Sequence, residues 1–483
     1  MRPISRRRAL QLGGVGLAAT VLGGCAPPTP GRLRFDPTVG EALTEPPVLR
    51  SSSGVLQVRL EATEARVPLA GGDATTLAFN GGLPGPTLHV QPGDRLEIDL
   101  VNRLAEPTNL HVHGLHVSPQ GNGDNTFVVV EPGATFGYEH QLPADHPPGV
   151  YWYHPHHHGL VADQIFGGLY GAILVGDPTP VPVTRERLLV VSDISLDDDG
   201  QVLPPSPMAQ MMGREGELVL VNGQATPSMQ AASGERERWR IINACTARYL
   251  RLRLDGQQLQ LLGVDSGRSV TPQDVDELVL ATGNRADLLV TTVAGTSELR
   301  TLPYDRGGMG MMTGMPGMRD GTPGPGVGEP LALATLEVTG SPAPPLAPVP
   351  TRPSPRDLRT ETVTARRELT FAMGMGGPGG MSFTIDGKQF DPDRIDQTVR
   401  PGAVEEWTLV NTSPMDHPMH LHVWPMQLLD TAETPTWRDV VDIPARSTVR
   451  VRIAFDDYTG RTVYHCHILD HEDRGMMGVL NTA

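Results

Sequence analysis

A chain of 483 residues is long enough for about three domains of ordinary size. Its 39 basic against 55 acidic side chains leave a net charge of −16, which argues against nucleic acid as a partner. The composition is globular, 39% hydrophobic and 5% aromatic with 55 Gly and 46 Pro, and its many short alternating segments favour β-sandwiches over helices.

The chain opens on an address. Ser5-Arg6-Arg7-Arg8-Ala9-Leu10 and the apolar run through Leu22 have the pattern of a twin-arginine export signal. That run is too short to span a membrane. Leu22-Gly23-Gly24-Cys25 has the form of a bacterial lipoprotein cleavage site, which would lipidate Cys25 and anchor the chain in the periplasm or at the cell surface. Plain cleavage nearby would release it instead. Removing residues 1–24 deletes four arginines and no acid, taking the charge from −16 to −20. Residues 25–50 then read as a tether.

Three copies of one pattern follow, in segments 51–178, 179–340 and 357–483, with a Pro-rich linker at 341–356. The first copy has Asn80-Gly81, then a strand pattern from Gly93 to Asn102. The second has Asn222-Gly223, then Gly234 to Asn243; the third has Asp386-Gly387, then Gly402 to Asn411. Apolar and polar residues alternate between each Gly and Asn, as in a half-buried strand. Recurrence at a domain-sized interval predicts three related β-domains.

The copies differ in what they carry. Nine residues after Asn102 stands His111-Val112-His113, and nine after Asn411 stands His420-Leu421-His422. Nine after Asn243 stands Leu252-Arg253-Leu254, with no ligand. Likewise Gly149 precedes His154-Pro155-His156 by five residues, as Gly460 precedes His465-Cys466-His467. All 16 histidines lie before residue 159 or after residue 416, so the middle segment reads as a spacer.

Residues 464–477 concentrate the chemistry. On a strand His465 and His467 share one face, and Cys466 points to the other. Cys466, His471 and Met476 follow at five-residue steps, and His417 is the candidate for the missing second imidazole. A thiolate, two imidazoles and a thioether make a blue-copper set. Structural zinc sites favour paired cysteines instead. The four His-x-His pairs supply eight imidazoles, enough for a three-metal cluster between the first and third domains. Of the other cysteines only Cys245 lies beyond the signal, in an apolar run, so no internal disulfide is expected.

These motifs, over roughly residues 50–483, resemble a three-domain multicopper oxidase of the bacterial laccase and cuprous-oxidase type. The resemblance implies three cupredoxin-like Greek-key β-sandwich domains, four copper ions, and an enzyme that couples one-electron oxidation of a donor to reduction of O2 to water. It implies type 1 copper on His417, Cys466, His471 and Met476, and type 2 copper on His111 and His420. A type 3 pair is implied on His113, His154 and His467, and on His156, His422 and His465. Glu472 and Asp124 match the family's acidic proton relay.

The donor implied is Cu(I), in a copper-tolerance role, or a phenol or aromatic amine. Met309, Met311, Met312, Met315 and Met318 in a Gly-rich loop, with Met373, Met375 and Met381, are soft ligands suited to Cu(I), and Met415 and Asp416 stand beside His417. His89, His116, His140 and His146 read as surface or loop residues, and His157 and His158 fit no site. A monomer is expected. The alternative is an exported, non-enzymatic copper-binding or envelope scaffold; family members of that kind lose ligands that this chain keeps.

Overall fold

The computed structural model describes residues 35–36, 40–308, 328–375, 380–429 and 434–483. Cys25 and the methionines at 309–318 lie outside these. Six sheets among the described residues pair into three two-sheet β-domains, and the few helices are short. Each domain closes over its own apolar core.

The recurring residues of the sequence explain why the three domains look alike. Asn102, Asn243 and Asn411 are all buried, and each carboxamide staples the end of its strand to the turn beyond. Asn102 Nδ2 donates to the carbonyls of Glu106 and Val130, Asn243 to Arg248 and Leu280, and Asn411 to Met415 and Ile443. Each Oδ1 accepts from the backbone N–H two residues on. Buried backbone groups are satisfied this way, and the chain is delivered at the same angle to the segment that carries ligands in the outer domains. The Asn80-Gly81, Asn222-Gly223 and Asp386-Gly387 pairs all have positive φ at both residues, the hairpin-turn geometry that Asn, Asp and Gly tolerate.

Pairing then fixes the ligand rows. In the first domain His111-Val112-His113 lies antiparallel to Gly149–His154, with His111 opposite His154. In the third, His417–Leu421 lies antiparallel to Gly460–Cys466, with His420 opposite His465. One register serves both domains.

One expectation of the sequence is corrected. The stretch 25–50 is not a free tether over its described part. Ala42 bridges to Ser228 of the middle domain, Leu43 packs on that domain's core, and Val48–Arg50 adds a parallel strand beside Thr87–Val90. Its apolar residues find partners, which a tether does not need. The linker 341–356 has no regular secondary structure and is fastened to the middle domain and Asp177: Arg352 donates its N–H to the Val270 carbonyl and its guanidinium to Asp177.

Asp177 belongs to a buried ionic knot where the first and middle domains meet. Arg238 joins it to Asp287, which also takes Arg268. Burial alone would raise the Asp287 carboxyl, but Arg268 and Arg238 outweigh that and hold it well below the usual carboxylate range. A depressed folded pKa stabilises the protein above the unfolded value, and that contribution fades as pH falls through the folded value. Asp287→Asn should therefore cost about 3–5 kcal/mol at neutral pH by stranding buried arginines. The deficit against wild type should shrink in strong acid, as thermal unfolding across a pH series would show.

Candidate metal centres

The strand Gly460–Cys466 runs between Met477–Thr482 and His417–Leu421, then the chain turns into the short helix Leu469–Asp473. Cys466 Sγ lies 3.4 Å from His417 Nδ1 and 3.9 Å from His471 Nδ1, and all three residues are fully buried. Both imidazoles are oriented from behind. Ser413 Oγ donates to Asn411 Oδ1 and so can accept from His417 Nε2–H at 2.7 Å. His471 Nε2–H donates to the Met211 carbonyl at 3.1 Å, and Phe383 stacks on its ring. Each ring is left with its Nδ1 lone pair facing the sulfur. Met476 is buried in the same apolar cluster, and its carbonyl accepts the Cys466 N–H. Burial pushes the Cys466 thiol up and the His417 imidazole down to about 3, so a bound cation is what would hold a thiolate here.

On the other face of that strand the four His-x-His pairs meet. Their eight imidazoles are each 2% exposed or less. His111 Nε2 is 3.4 Å from His420 Nε2, and His113 Nδ1 is 3.4 Å from His154 Nε2. His465 Nε2 is 3.1 Å from both His156 Nε2 and His422 Nε2. Nitrogens about 2 Å from a shared ion in a tetrahedral array stand about 3.3 Å apart, so these separations fit metal binding. His467 packs edge-on to His113 with ring centroids 5.0 Å apart, and its buried Nε2 has no hydrogen-bond partner among the described residues. Burial, then the neighbouring imidazoles, pushes His111, His113, His420, His422 and His467 well below the ordinary histidine value, leaving them neutral as ligands must be.

Three family models described as multicopper oxidase match residues 61–180, 185–298 and 353–483. A solved multicopper oxidase from Campylobacter jejuni, described as a metallo-oxidase, superposes with a TM-score of 0.80 at 31% identity, over 92% of this chain and 95% of that one. The chain belongs to the multicopper oxidase family. It is a copper-dependent oxidoreductase that uses O2, and its buried groups are consistent with a type 1 site and a trinuclear site. It is also similar to the multicopper oxidase Mco of Staphylococcus haemolyticus, 28% identical over 427 residues, covering 85% of this chain and 84% of that one. The cell division protein FtsP of Yersinia pestis is 27% identical over 505 residues, covering 99% and 98%.

The oxidase surrounds its histidine cluster with carboxylates. Asp124 accepts from His111 Nδ1–H at 2.8 Å and from the Val112 N–H, and burial raises it to about 7. Glu472 lies 3.1 Å from His465 Nδ1 and 3.5 Å from His156 Nε2. Burial would raise Glu472; His156 and His465, when charged, outweigh it and hold the carboxyl down, a pull that is lost once those rings serve as neutral ligands. Asp439, which the sequence does not single out, bonds His113 Nε2–H through its side chain and His420 Nδ1–H through its carbonyl.

Other expectations need revision. The middle domain is no mere spacer: Met211 orients His471, Thr282 Oγ1 is 3.3 Å from His467 Nδ1, and Arg285 grips Asp439. Single residues of these types, remote in sequence, carry no motif. Met415 is fully buried, and both Asp416 oxygens are engaged, by the Ala445 N–H and the Tyr304 hydroxyl, so this pair is not open to a surface ion. His140 lies on the strand Thr135–Gln141 and is buried, neither at the surface nor in a loop, whereas His146 is a loop residue as expected, though an enclosed one. His116 ties the outer domains together through the Val423 carbonyl and Asp457.

Proposed function

We propose that the oxidase holds four copper ions, in the sets His417, Cys466, His471 and Met476; His111 and His420; His113, His154 and His467; and His156, His422 and His465. The supporting observation is a single strand, Gly460–Cys466, that presents its sulfur to His417 and His471 while the imidazoles flanking that sulfur join the cluster on the opposite side. Copper, when bound, supplies one-electron exchange at the thiolate site and the stored electrons that take O2 to water at the cluster. The protein's own part is placement: the Cys466 backbone links directly to His465 and His467. Asp124 at about 7 can hold or release a proton beside His111 at working pH, and the Glu472 oxygens can accept one beside His465.

The donor we favour is Cu(I). Half-buried Met211, Met373 and Met381 pack on the core that holds Cys466 and Met476, and the Met211 carbonyl bonds His471. Gly308, which leads into the methionines at 309–318, lies against Met212. Thioethers suit Cu(I). Serine at 211, 373 and 381 should lower kcat/KM for Cu(I) by about tenfold or more, a loss of about 1.4 kcal/mol in transition-state binding, and leave a phenol substrate unaffected. The same comparison with serines at 309–318 tests the loop. Equal losses for both donors, or none, would reject the assignment.

Export by the twin-arginine route and anchoring at Cys25 follow from Ser5–Leu10 and Leu22–Cys25 alone, and Cys25→Ala should move the protein out of the membrane fraction. The end-to-end match to FtsP motivates a second reading, an envelope scaffold. Copper-saturated protein that consumes no oxygen with any donor would favour it.

A further inference from the structure

Arg285 belongs to the middle domain, which carries no histidine, yet it is fully buried where all three domains meet. Its Nε–H donates to the Val150 carbonyl of the first domain at 3.0 Å. Nη1 reaches Asp265 of its own domain at 3.2 Å. The two terminal nitrogens grip Asp439 of the third domain as a fork, at 2.5 and 2.7 Å. Asp265 in turn accepts the backbone N–H groups of Asp439 and Val440 at 3.3 Å, and Asn284 braces it. The backbone makes room for this: Gly114, directly after His113, has φ +82°, and a Cβ there would collide with the guanidinium.

The carboxylate so gripped is the one that orients two histidines from different domains. Asp439 Oδ1 takes His113 Nε2–H at 3.1 Å, which leaves His113 Nδ1 facing His154, and the Asp439 carbonyl takes His420 Nδ1–H at 2.8 Å. The His113 and His420 rings stack 3.8 Å apart, 8° from parallel. Trp152 packs against the His113 ring at 5.1 Å, but among the described residues Asp439 is the one hydrogen-bond partner of either ring outside the histidine cluster.

We propose that Arg285 is a positioning residue for the copper cluster, acting through Asp439 to set the tautomer and rotation of His113 and the placement of His420. A bidentate guanidinium is suited to the task because it fixes a carboxylate's plane as well as its place, which a lysine does not. The inference rests on the reading of His113 and His420 as copper ligands.

The test loads wild type, R285Q, R285K, D439N and the R285Q/D439N double variant with copper. It reads copper per chain, the type 2 electron paramagnetic resonance signal, the near-ultraviolet band of the coupled pair, and the blue thiolate band. R285Q and D439N should each weaken cluster copper by about 10–100-fold, the range for ligand-orienting partners, with the blue band kept. The double variant should be no worse than either single one, since both break one connection. R285K should fall between wild type and R285Q. Cluster copper held at wild-type affinity in R285Q overturns the proposal, as does a blue band that fades in step with the cluster or an additive loss in the double variant. If R285Q is not recovered folded, R285K and D439N decide by the same criteria. A wild type that takes copper only at the blue site overturns the ligand assignment, and this proposal with it.

Discussion

Cys466→Ser is expected to abolish the blue absorption and to cut oxygen consumption by more than about a hundredfold, beyond the 10–100-fold typical of losing an outer partner of a ligand. The reason is chemical and geometric together. A hydroxyl is a hard, weakly acidic donor and cannot replace a thiolate between the Nδ1 atoms of His417 and His471, at 3.4 and 3.9 Å from the sulfur. The serine is small enough to fit, so the fold should hold: Cys466 is paired to Met419 across the strand and its N–H still reaches the Met476 carbonyl. The histidine cluster should continue to bind metal, because none of its rings depends on the sulfur. A visible spectrum and an oxygen electrode on copper-loaded protein check both halves. Retained blue colour in the serine variant would show that the thiolate lies elsewhere.

The second large effect is expected at Glu472. Its carboxylate sits among buried imidazoles, 3.1 Å from His465 Nδ1 and 3.5 Å from His156 Nε2, with no solvent exposure. Glu472→Gln preserves shape but cannot take up a proton, so kcat should fall by about 10²–10⁴-fold, the range for a lost general acid or base. The blue band should remain, and the type 1 site should still be reduced by donor at the wild-type rate. Stopped-flow reduction under anaerobic conditions, set beside steady-state turnover in oxygen, separates the two steps. If anaerobic reduction slows as much as turnover, Glu472 serves the first site or the fold and not proton delivery.

Much of this architecture is written locally. A His-x-His pair on a strand has only one geometry, both rings on one face, so four such pairs in matched repeats point to one convergent site. The Gly-to-Asn spacing is legible for a similar reason, since Asn102, Asn243 and Asn411 each close a strand through bonds to residues nearby in the chain as well as across it. What the sequence hides is long-range and made of ordinary residues. Arg285 meets Asp439 across 154 positions, and Met211 serves His471 with a carbonyl that any residue possesses. The burial of His140 is equally silent, because enclosure by other strands leaves no mark on the residues beside it. The docking of residues 42–50 shows the opposite lesson: a place between the lipidation motif and the first repeat suggests a tether, yet a few apolar side chains suffice to seat it.

The distribution of donors between domains has a consequence for how the enzyme matures. Cys466, His417, His471 and Met476 all belong to the third domain, whereas the eight imidazoles come four from each outer domain. Under the proposed assignment the coloured centre draws all its ligands from the third domain and needs only the Met211 carbonyl from the middle one to seat His471, while the oxygen-reducing centre would come into being only when the outer domains shut. On gentle denaturation respiration should fail before the colour does, and reconstitution should recover them in the reverse sequence.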